Sequence, residues 1–324
     1  MTHNTSPLQS YPLAPIAFFC YNRPDKVRIA LEALRANILA SESKLFVFSD
    51  GPKDDKSADG VRKLREYLYS VDGFASVEVI ERERNYGCAG NIINGITQVV
   101  NEFGRIIIME DDVLACPFFL RYVNEGLEIY KDDENVSSIG GFLRRYKNAG
   151  QLPQSFFMYD GIWGWGTWQR AWKDYEYDAA KLLAKINSMG IENEFNMNFE
   201  PKFHIWTEML KAVAEGRLDT WDVQWRAVNF IHGRLSLSPC MTLTKNIGID
   251  GSGTHGVVNK VDRLNGKFPE TFESLKRVPV EFNQYAYDLE RKAVLRLLHP
   301  SLLYRILSKI YRTITGKNRR KPKP

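Results

Sequence analysis

The stretch Arg105-Ile106-Ile107-Ile108-Met109-Glu110-Asp111-Asp112 decides the fold that we expect for this chain. An apolar run that ends in three carboxylates is typical of a buried central strand in a parallel sheet, and open α/β sheets bind ligands at the carboxyl ends of such strands. Adjacent acids repel one another unless a cation or hydrogen-bond donors offset their charge. Hard oxygen ligands suit Mg²⁺ or Mn²⁺, which usually bring a phosphate with them. The stretch therefore predicts a metal and phosphate site, with a solvated acidic turn as the alternative.

Strand and helix patterns alternate on both sides of this stretch. Apolar runs predict further strands at 15–21, 44–49, 77–80, 136–140 and 235–238. Helical spacing predicts helices at 25–34, 58–69, 91–103, 118–130 and 221–230, and a mainly helical region over 173–220. Strands that alternate with helices build parallel sheets covered by helices. We expect an α/β protein with a Rossmann-like, mixed but mostly parallel sheet flanked by helices, and a helical C-terminal extension.

Length and charge bound the organisation of the chain. Its 324 residues can bury the core of one large domain. We predict a disordered N-terminus over 1–13, a folded domain over 14–290 with halves 14–150 and 151–290, and a basic segment over 291–324. That segment holds eleven Lys or Arg and no Asp or Glu, whereas residues 1–290 carry 33 basic and 39 acidic side chains. An acidic body argues against a nucleic acid as partner.

The segment 301–324 also bears on location. No secretory signal opens the chain, and no apolar run reaches the ~18 residues of a membrane span. The four cysteines are widely spaced with no CxxC pair, which predicts reduced thiols. We therefore expect a cytoplasmic protein. A basic amphipathic helix with a polybasic end is typical of the surface of an anionic membrane, and a helix docked on the domain is the alternative. One face of the predicted helix carries Leu302, Leu303, Ile306, Leu307, Ile310, Tyr311 and Ile314.

Polar residues follow the first two predicted strands. A strand followed by a turn and a helix start is where a nucleotide base or phosphate docks, so Arg23 is predicted to stack on or hydrogen-bond such a group. Asp50, in Ser49-Asp50-Gly51, is predicted to accept from a base or ribose. The alternatives are a surface arginine that caps a turn and an aspartate that closes its own turn.

Two further segments supply candidates for ligand binding. Small residues over 85–91 let the backbone approach a ligand, which makes Asn91 a candidate, although helix entry explains the pattern as well. Glycines between tryptophans over 160–168 leave ring faces available to a sugar, so Trp163 and Trp165 are candidates. Trp168 and Trp172 are spaced i, i+4, which predicts core packing on a helix.

Asp222 is the candidate general base. It lies between Trp221 and Trp225, and an aspartate held between aromatic side chains is partly desolvated, which raises its pKa and suits proton abstraction. The alternative is a helix N-cap. A loop with four glycines over 246–256 contains His255.

In order and spacing, these segments resemble nucleotide-sugar glycosyltransferases of the GT-A fold. The resemblance is nearest to N-acetylglucosaminyltransferase I and its bacterial relatives (family 13-like) and looser to family 2. It spans roughly residues 14–260. The matching residues are Tyr21-Asn22-Arg23, Ser49-Asp50-Gly51, Glu110-Asp111-Asp112 with Pro117-Phe118-Phe119, Gly164-Trp165, Trp221-Asp222 with Trp225, and Gly253-Thr254-His255-Gly256.

The resemblance implies a metal-dependent, inverting transfer from a UDP-sugar, with UDP-N-acetylglucosamine as the nearest-family donor. Asp112 would ligate Mn²⁺ or Mg²⁺, Asp111 the ribose or the metal shell, and Glu110 the donor sugar. Arg23 and Asp50 would hold the uridine. Asp222 would deprotonate the acceptor hydroxyl, and His255 would approach the diphosphate when its loop closes and excludes water. The half 14–150 would bind the nucleotide and the half 151–290 the acceptor.

The expected acceptor is a glycan or lipid-linked sugar in bacterial surface polysaccharide assembly, with the protein peripheral at the inner face of the plasma membrane. Other functional classes stay open. A sugar nucleotidyltransferase usually carries a glycine-rich basic phosphate loop after the first strand, and Asn22-Arg23-Pro24 offers none. A carbohydrate-binding protein on the same fold predicts no donor turnover. A basic nucleic-acid binder predicts a strong salt dependence from the body of the protein.

Overall fold

Strands and helices alternate through the first half of the chain. A computed structural model describes residues 11–146, 149–159, 161–199, 204–248 and 265–298. The strands are β1 (Ile16–Cys20), β2 (Lys44–Ser49), β3 (Ser76–Glu81), β4 (Arg105–Glu110), β5 (Val113–Ala115), β6 (Val136–Gly140), β7 (Ser155–Met158), β8 (Trp165–Trp168), β9 (Leu235–Pro239) and β10 (Thr244–Asn246). The helices are α1 (Pro24–Arg35), α2 (Asp55–Leu68), α3 (Gly87–Phe103), α4 (Phe119–Ile129), α5 (Gln169–Trp172), α6 (Ala179–Met189), α7 (Glu192–Phe195), α8 (Ile205–Ala214), α9 (Asp222–Ile231) and α10 (Gln284–Leu298).

The main sheet of the described chain has eight strands in the order β3-β2-β1-β4-β8-β6-β9-β7. The four strands β3, β2, β1 and β4 pair in parallel, as do β6 and β9. The pairs β4–β8, β8–β6 and β9–β7 are antiparallel. The expected mixed, mostly parallel sheet flanked by helices is confirmed.

The strand order reverses direction next to β4. The chain runs outward from β1 to β2 and β3, and then returns through α3 to β4 on the other side of β1. In this register Phe19 lies opposite Glu110. A crevice opens at such a reversal beyond the carboxyl ends of the strands, so the residues that follow β1 and β4 face a ready-made ligand site.

The apolar run of β4 is continuous because both faces of the strand are covered. Ile107 and Met109 pack in the cluster that contains α1 and α4 residues, whereas Ile106 and Ile108 pack in the cluster that contains α3 residues. Successive side chains of a strand point to opposite faces, so a strand buried on both faces has no polar alternation. All four of these side chains are fully buried, and each contributes roughly 1.5–3 kcal/mol of transfer free energy.

The placement of Trp168 and Trp172 on one helix is wrong. Trp168 ends β8, and Trp172 ends the short helix α5; both are buried, but in different clusters. The segment in which Gly and Trp alternate contains an antiparallel strand, β8, which its composition does not predict. Gly166 is required there because a Cβ would lie 2.6 Å from Cγ1 of Val123 on α4, and α4 packs directly against β8.

Helix α10 runs without a break through residue 290, where the sequence analysis places the C-terminal boundary of the folded domain. Glu290 is buried, and its carboxylate accepts hydrogen bonds from Nε of Arg144 (2.9 Å) and from the hydroxyl of Tyr146 (2.8 Å). Val294, beyond the predicted boundary, is buried as well. Residues on both sides of position 290 are therefore buried, and the boundary itself stays a prediction.

Several expectations fall on parts of the chain that are not described. Residues 1–10 of the predicted disordered N-terminus and the predicted membrane helix with its polybasic end at 301–324 lie outside the described residues. Tyr11, by contrast, is described, and its hydroxyl is buried. Among the described residues, no helix is both long and apolar enough to cross a membrane. The four cysteines are free, as predicted.

Candidate active site

The carboxylates at the end of β4 meet an arginine from the turn after β1. Arg23 precedes the proline that begins α1, and its guanidinium donates to both carboxylate oxygens of Asp111, with Nε 3.2 Å from Oδ2. The same guanidinium donates to Oδ2 of Asp112 at 3.2 Å. The structure thus brings together the predicted residues Arg23, Asp111 and Asp112, with Arg23 bridging the two acids.

One arginine does not offset the charge of this cluster. Burial raises the pKa of Asp111 to about 6; Arg23 opposes that shift, and the charge of Asp112 adds to it. Burial, together with the charges of Asp112, Asp222 and Asp111, raises the pKa of Glu110 well above its ordinary value. Burial lowers the pKa of Arg23, but the charge and hydrogen bonds of Asp111 and Asp112 outweigh it and raise that pKa overall.

The acid cluster fits a divalent cation that a substrate helps to hold. Carboxylate oxygens are hard ligands, and excess negative charge on partly buried acids is what a cation relieves. Asp112 is the more accessible of the two acids that Arg23 bridges, with 19% of its side chain exposed against 6% for Asp111. Within the described ranges, no group of three or more His, Cys, Asp or Glu side chains lies close enough together to hold a metal by itself. Asp112 remains a predicted ligand, to be completed by oxygens from elsewhere.

A cavity of about 540 Å³ lies at the carboxyl ends of β1 and β4. We call it the β1–β4 cavity. Residues from five separate parts of the chain line it, so the fold gathers most of the predicted nucleotide-binding residues at one place. Its polar lining includes Arg23, Asp50, Asn91, Glu110, Asp111 and Asp219.

Asp50 uses both carboxylate oxygens to hold the loop before α3. Oδ1 accepts from the backbone N–H groups of Gly51 (2.9 Å) and Tyr86 (2.8 Å). Oδ2 accepts from Nδ2 of Asn85 (3.0 Å) and the N–H of Gly87 (3.1 Å). Burial nevertheless raises the pKa of Asp50, against the lowering by these backbone bonds. One of these four bonds, from Gly51, closes the turn of Asp50 itself, and the other three hold residues 85–87. Contact with a base or ribose stays a prediction.

Asn91 lies on the first turns of α3 and is buried. Its Nδ2 donates to the carbonyl of Phe48 at 3.3 Å, and its Oδ1 accepts from Nε of Arg82 at 3.1 Å. Arg82 also stacks over the rings of Phe48 and Tyr86, 5.1 and 5.0 Å from their centroids. Asn91 therefore fixes the wall of the β1–β4 cavity by joining α3 to the end of β2.

The sequence analysis did not identify Asp219. Its carboxylate accepts from the backbone N–H groups of Cys88 (2.8 Å) and Ala89 (3.1 Å), which are orphan donors at the start of α3. A Cβ on Gly87 would lie 2.5 Å from Oδ2 of Asp219, so glycine permits this approach. Asp219 is 131 residues from Cys88 along the chain, and no local pattern signals the contact.

Asp222 is the first residue of α9, and Trp221 is the N-cap. Oδ1 of Asp222 accepts from Oγ1 of Thr220 (2.5 Å) and from the backbone N–H of Val223 (2.8 Å). Among the described residues, Oδ2 has no hydrogen-bond partner. One oxygen is thus fixed by the protein, and the other is available to a ligand.

Trp165 does not present a ring face to a sugar, contrary to the sequence prediction. It is fully buried, and its indole stacks on Trp221 with the ring centroids 5.5 Å apart and the planes within 10°. All four residues of β8 are buried, and Trp172 and Trp225 surround Trp165 in the core. Trp163 is only partly buried and lines a second cavity.

This second cavity, which we call the α9 cavity, has a volume of about 170 Å³. It lies between α9, α8 and the strands β6 and β9. The side chains of Trp163, Trp206, Asp222, Arg226, Asn229 and Arg234 contribute to its lining. The charge of Asp222 raises the pKa of Glu110, which lines the β1–β4 cavity. Asp219, three residues before Asp222, lines the β1–β4 cavity, so one short segment of the chain contributes to both cavities.

The strand β10 brings the predicted 246–256 loop to the acid cluster. It pairs antiparallel with β5, immediately after the acids, and the N–H of Ile247 donates to the carbonyl of Asp112 at 2.7 Å. A Cβ on Gly248 would lie only 2.1 Å from Oδ2 of Asp112. The loop thus begins in contact with Asp112, the predicted metal ligand. His255 lies outside the described residues.

Comparisons with known proteins support the looser of the two resemblances drawn from the sequence, the one to family 2. Residues 16–189, more than half of the chain, match the family described as Glycosyl transferase family 2. No curated protein matches the sequence. The nearer resemblance that the sequence analysis draws, to N-acetylglucosaminyltransferase I, stays a prediction.

Solved structures of glycosyltransferases show distant similarity. TarS from S. aureus is 17% identical over 45% of this chain and 24% of its own, with a TM-score of 0.29. The mannosyltransferase PcManGT from Pyrobaculum calidifontis, in complex with GDP-Man and Mn²⁺, is 10% identical over 69% of this chain and 72% of its own, with a TM-score of 0.34. The galactosyltransferase LgtC, in complex with donor and acceptor sugar analogues, is 14% identical over 68% and 72%, with a TM-score of 0.34. The match to TarS thus spans about a quarter of that protein's length.

Proposed function

The chain belongs to glycosyl transferase family 2, and from that premise we propose that it transfers a sugar from a UDP-sugar to a hydroxyl group of a glycan or lipid-linked acceptor. We further propose that Mn²⁺ or Mg²⁺ assists the reaction and that the anomeric carbon is inverted. The position of Asp222 carries this proposal. Its carboxylate lines the α9 cavity, and Asp219, three residues earlier, lines the β1–β4 cavity.

The β1–β4 cavity is the proposed donor site. Arg23 supplies a cation for the nucleotide, and the loop that Asp50 and Asn85 hold forms the wall beside it. Asp112 is the proposed metal ligand, and a divalent ion held there would offset charge on the departing diphosphate. Asp111 is proposed to orient the ribose or the metal shell, and Glu110 the donor sugar. For Arg23 to reach a nucleotide, its bridge to the two acids must give way.

In the proposed transfer step, Asp222 accepts one proton. Oδ2 of Asp222 takes the proton of the acceptor hydroxyl, and the hydroxyl oxygen then forms a bond to the anomeric carbon. The bond between that carbon and the diphosphate oxygen breaks, and its electron pair leaves with UDP. Thr220 and Val223 hold Oδ1, so the carboxylate keeps its orientation while Oδ2 reacts. Attack from the side opposite the leaving group gives inversion.

The sharpest test of the base is Asp222→Asn. We expect UDP release from UDP-sugars to fall by about 10²–10⁴-fold, because the amide cannot accept the proton. UDP affinity, measured by isothermal titration in Mn²⁺, should be unchanged. The matched control is Asp178→Asn, which alters an exposed helix N-cap on α6 where asparagine substitutes well. Normal turnover in Asp222→Asn would place the base elsewhere.

The donor and metal assignments have a separate test. Isothermal titration of UDP into the purified protein should show binding that depends on Mn²⁺, and Asp112→Ala should abolish that dependence. A screen of UDP-sugars for UDP release, begun with UDP-N-acetylglucosamine, would then identify the donor. UDP affinity that is equal with and without Mn²⁺ would contradict the metal assignment. If no nucleoside diphosphate binds, the family fold serves here as a carbohydrate-binding module.

We also propose that the acceptor belongs to bacterial surface polysaccharide assembly and that the enzyme works in the cytoplasm at the inner face of the plasma membrane. Support comes from the sequence of residues 301–324, which is basic and has apolar residues at helical spacing. Deletion of 301–324 should release the protein from anionic liposomes in a flotation assay. Unaltered partitioning would favour the docked-helix alternative.

A further inference from the structure

The α9 cavity carries more positive than negative charge. Three arginines line it, against the single carboxylate of Asp222. Arg144 pairs with Glu290 and Arg234 pairs with Asp174. Arg226 has no carboxylate within 4.0 Å among the described residues. Its Nη1 donates to the carbonyl of Tyr159 at 2.9 Å, and its guanidinium stacks 4.5 Å from the ring centroid of Trp206.

Polar atoms of the same lining are buried without a hydrogen-bond partner in the described chain. Three are donors: Nε of Arg226, Nη1 of Arg234 and Nε1 of Trp206. The fourth is an acceptor, Oδ1 of Asn229, whose amide nitrogen is already used by the carbonyl of Trp225 at 3.0 Å. Buried polar groups are nearly always hydrogen-bonded, and four orphans around one cavity indicate that the cavity is built to take a polar ligand.

The positive charge of the lining favours an anion over a neutral ligand or water. Water or a sugar hydroxyl can satisfy the orphan donors, but neither adds negative charge beside the partly buried guanidinium of Arg226. A partly buried charge without a partner costs free energy. A carboxylate or phosphate offsets the charge, and its oxygens can accept from the guanidinium groups of Arg226 and Arg234, which both line the cavity. Guanidinium groups bind such oxygens with strong, directional hydrogen bonds.

The spacing on α9 relates this anion to the reacting hydroxyl. Asp222 and Arg226 are four residues apart, so they are neighbours on one helix face with Cβ atoms about 5–6 Å apart. Asn229 follows three residues later on the same face. The distance from Asp222 to Arg226 is comparable with the width of one sugar ring. A hydroxyl at Asp222 and an anionic substituent at Arg226 can therefore belong to the same acceptor sugar.

We propose that the α9 cavity is the acceptor subsite and that its acceptor is an acidic sugar, which bears a carboxylate or phosphate within about one helical turn of the hydroxyl that reacts. This inference rests on the proposed function for the identity of the reacting hydroxyl, but the anion-binding cavity stands on its own contacts. Arg226 and Arg234 recognise the negative group. Asn229 accepts from a neighbouring hydroxyl.

The test compares three probes of similar size: glucuronate, glucose 6-phosphate and glucose. We expect both acidic sugars to bind the full-length protein at least tenfold more tightly than glucose, measured by saturation-transfer NMR titration. The more tightly bound acid identifies the carboxylate or the phosphate as the natural group. Equal binding of glucose, or no binding of either acid, would overturn the proposal.

Variants of the lining arginines test whether the acidic probes bind in the α9 cavity. Arg226→Gln and Arg234→Gln should each weaken the acidic probes about tenfold or more and leave glucose unchanged. Arg226→Lys keeps the charge and loses Nε, so it should give an intermediate loss even if the glutamine variant folds poorly. The matched control is Arg62→Gln, whose guanidinium is exposed on α2. Acid binding that none of the cavity variants weakens would place the anion elsewhere and overturn the proposal.

UDP titration in Mn²⁺ distinguishes failure of the proposed function from failure of the acidic acceptor. The cavity variants should bind UDP as the parent does, because their arginines do not line the β1–β4 cavity. If the parent protein binds acidic sugars through Arg226 but binds no UDP, the glycosyltransferase proposal fails and the anion site stands. If UDP binds and the acidic sugars do not, the proposed function stands and the acidic acceptor is refuted.

Discussion

Gly248 offers the most direct test of the link between the 246–256 loop and the acid cluster. A Cβ at this position would lie 2.1 Å from Oδ2 of Asp112 and 2.8 Å from its Cγ, where real Cβ contacts essentially never fall below 3.0 Å. Gly248→Ala must therefore separate the two groups by about 0.9 Å. Hydrogen bonds hold the backbone on the loop side: the N–H of Gly248 donates to Oδ1 of Asn246 (2.8 Å), and the N–H of Ile247 donates to the carbonyl of Asp112 (2.7 Å). The carboxylate is the part that moves.

We expect Gly248→Ala to weaken Mn²⁺-dependent binding of UDP by about 10–100-fold, the loss usual when a ligand's orientation is disturbed. Isothermal titration of UDP at several Mn²⁺ concentrations measures the effect. Gly248 is not among the glycines with positive φ, so the change tests the clash and not backbone strain. Gly150→Ala is the matched control, because a Cβ there meets nothing within 4 Å. Unchanged Mn²⁺ dependence in a folded Gly248→Ala protein would refute the placement of the metal at Asp112.

Three further predictions concern the metal-free protein and are checked by denaturation. Arg23→Ala should cost about 3 kcal/mol in the free energy of unfolding, because Asp111 and Asp112 lose a partly buried partner; a cost below about 0.5 kcal/mol, as expected for the exposed Arg62→Ala, would contradict this. The raised pKa of Asp111, about 6 against an ordinary 3.8, means that the fold favours the neutral acid. The stability contributed by the neutral acid is therefore complete below about pH 4 and lost as the pH rises through about 6, so Asp111→Asn should flatten the decline in melting temperature between about pH 4 and 6. Asp219→Ala should cost about 1 kcal/mol in urea denaturation, since it leaves two N–H groups of α3 uncapped.

Local patterns were enough to predict the parallel half of the sheet. The run Ile106–Met109 reads as a strand because both its faces are buried, and the acids that follow it lie at the edge where the strand order reverses. The predicted strand at 44–49 coincides with β2. Three of the four parallel strands, β1, β2 and β4, contain uninterrupted apolar runs, whereas β3 is interrupted by Glu78.

Contacts between distant segments could not be predicted in this way. The strand β8 has glycine between tryptophans, and only the approach of α4 explains Gly166. Trp165 lies in β8, where all four residues are buried, whereas Trp163 precedes the strand and is only partly buried. The cap that Asp219 places on α3 joins residues 131 positions apart. Arg23 was assigned to a nucleotide, but in this structure it bridges two acids from another strand, 88 and 89 residues away.

The indole stack beneath Asp222 has an optical consequence. Trp165 and Trp221 lie nearly parallel, and Trp172 and Trp225 stand 5.2 Å apart beside them. Chromophores at such separations couple their electronic transitions, so the cluster should give a strong circular dichroism couplet from its aromatic absorption bands. Trp221 immediately precedes Asp222, and any rearrangement at the start of α9 would change the geometry of the couplet. The protein thus carries an unlabelled spectroscopic reporter one residue from the proposed base.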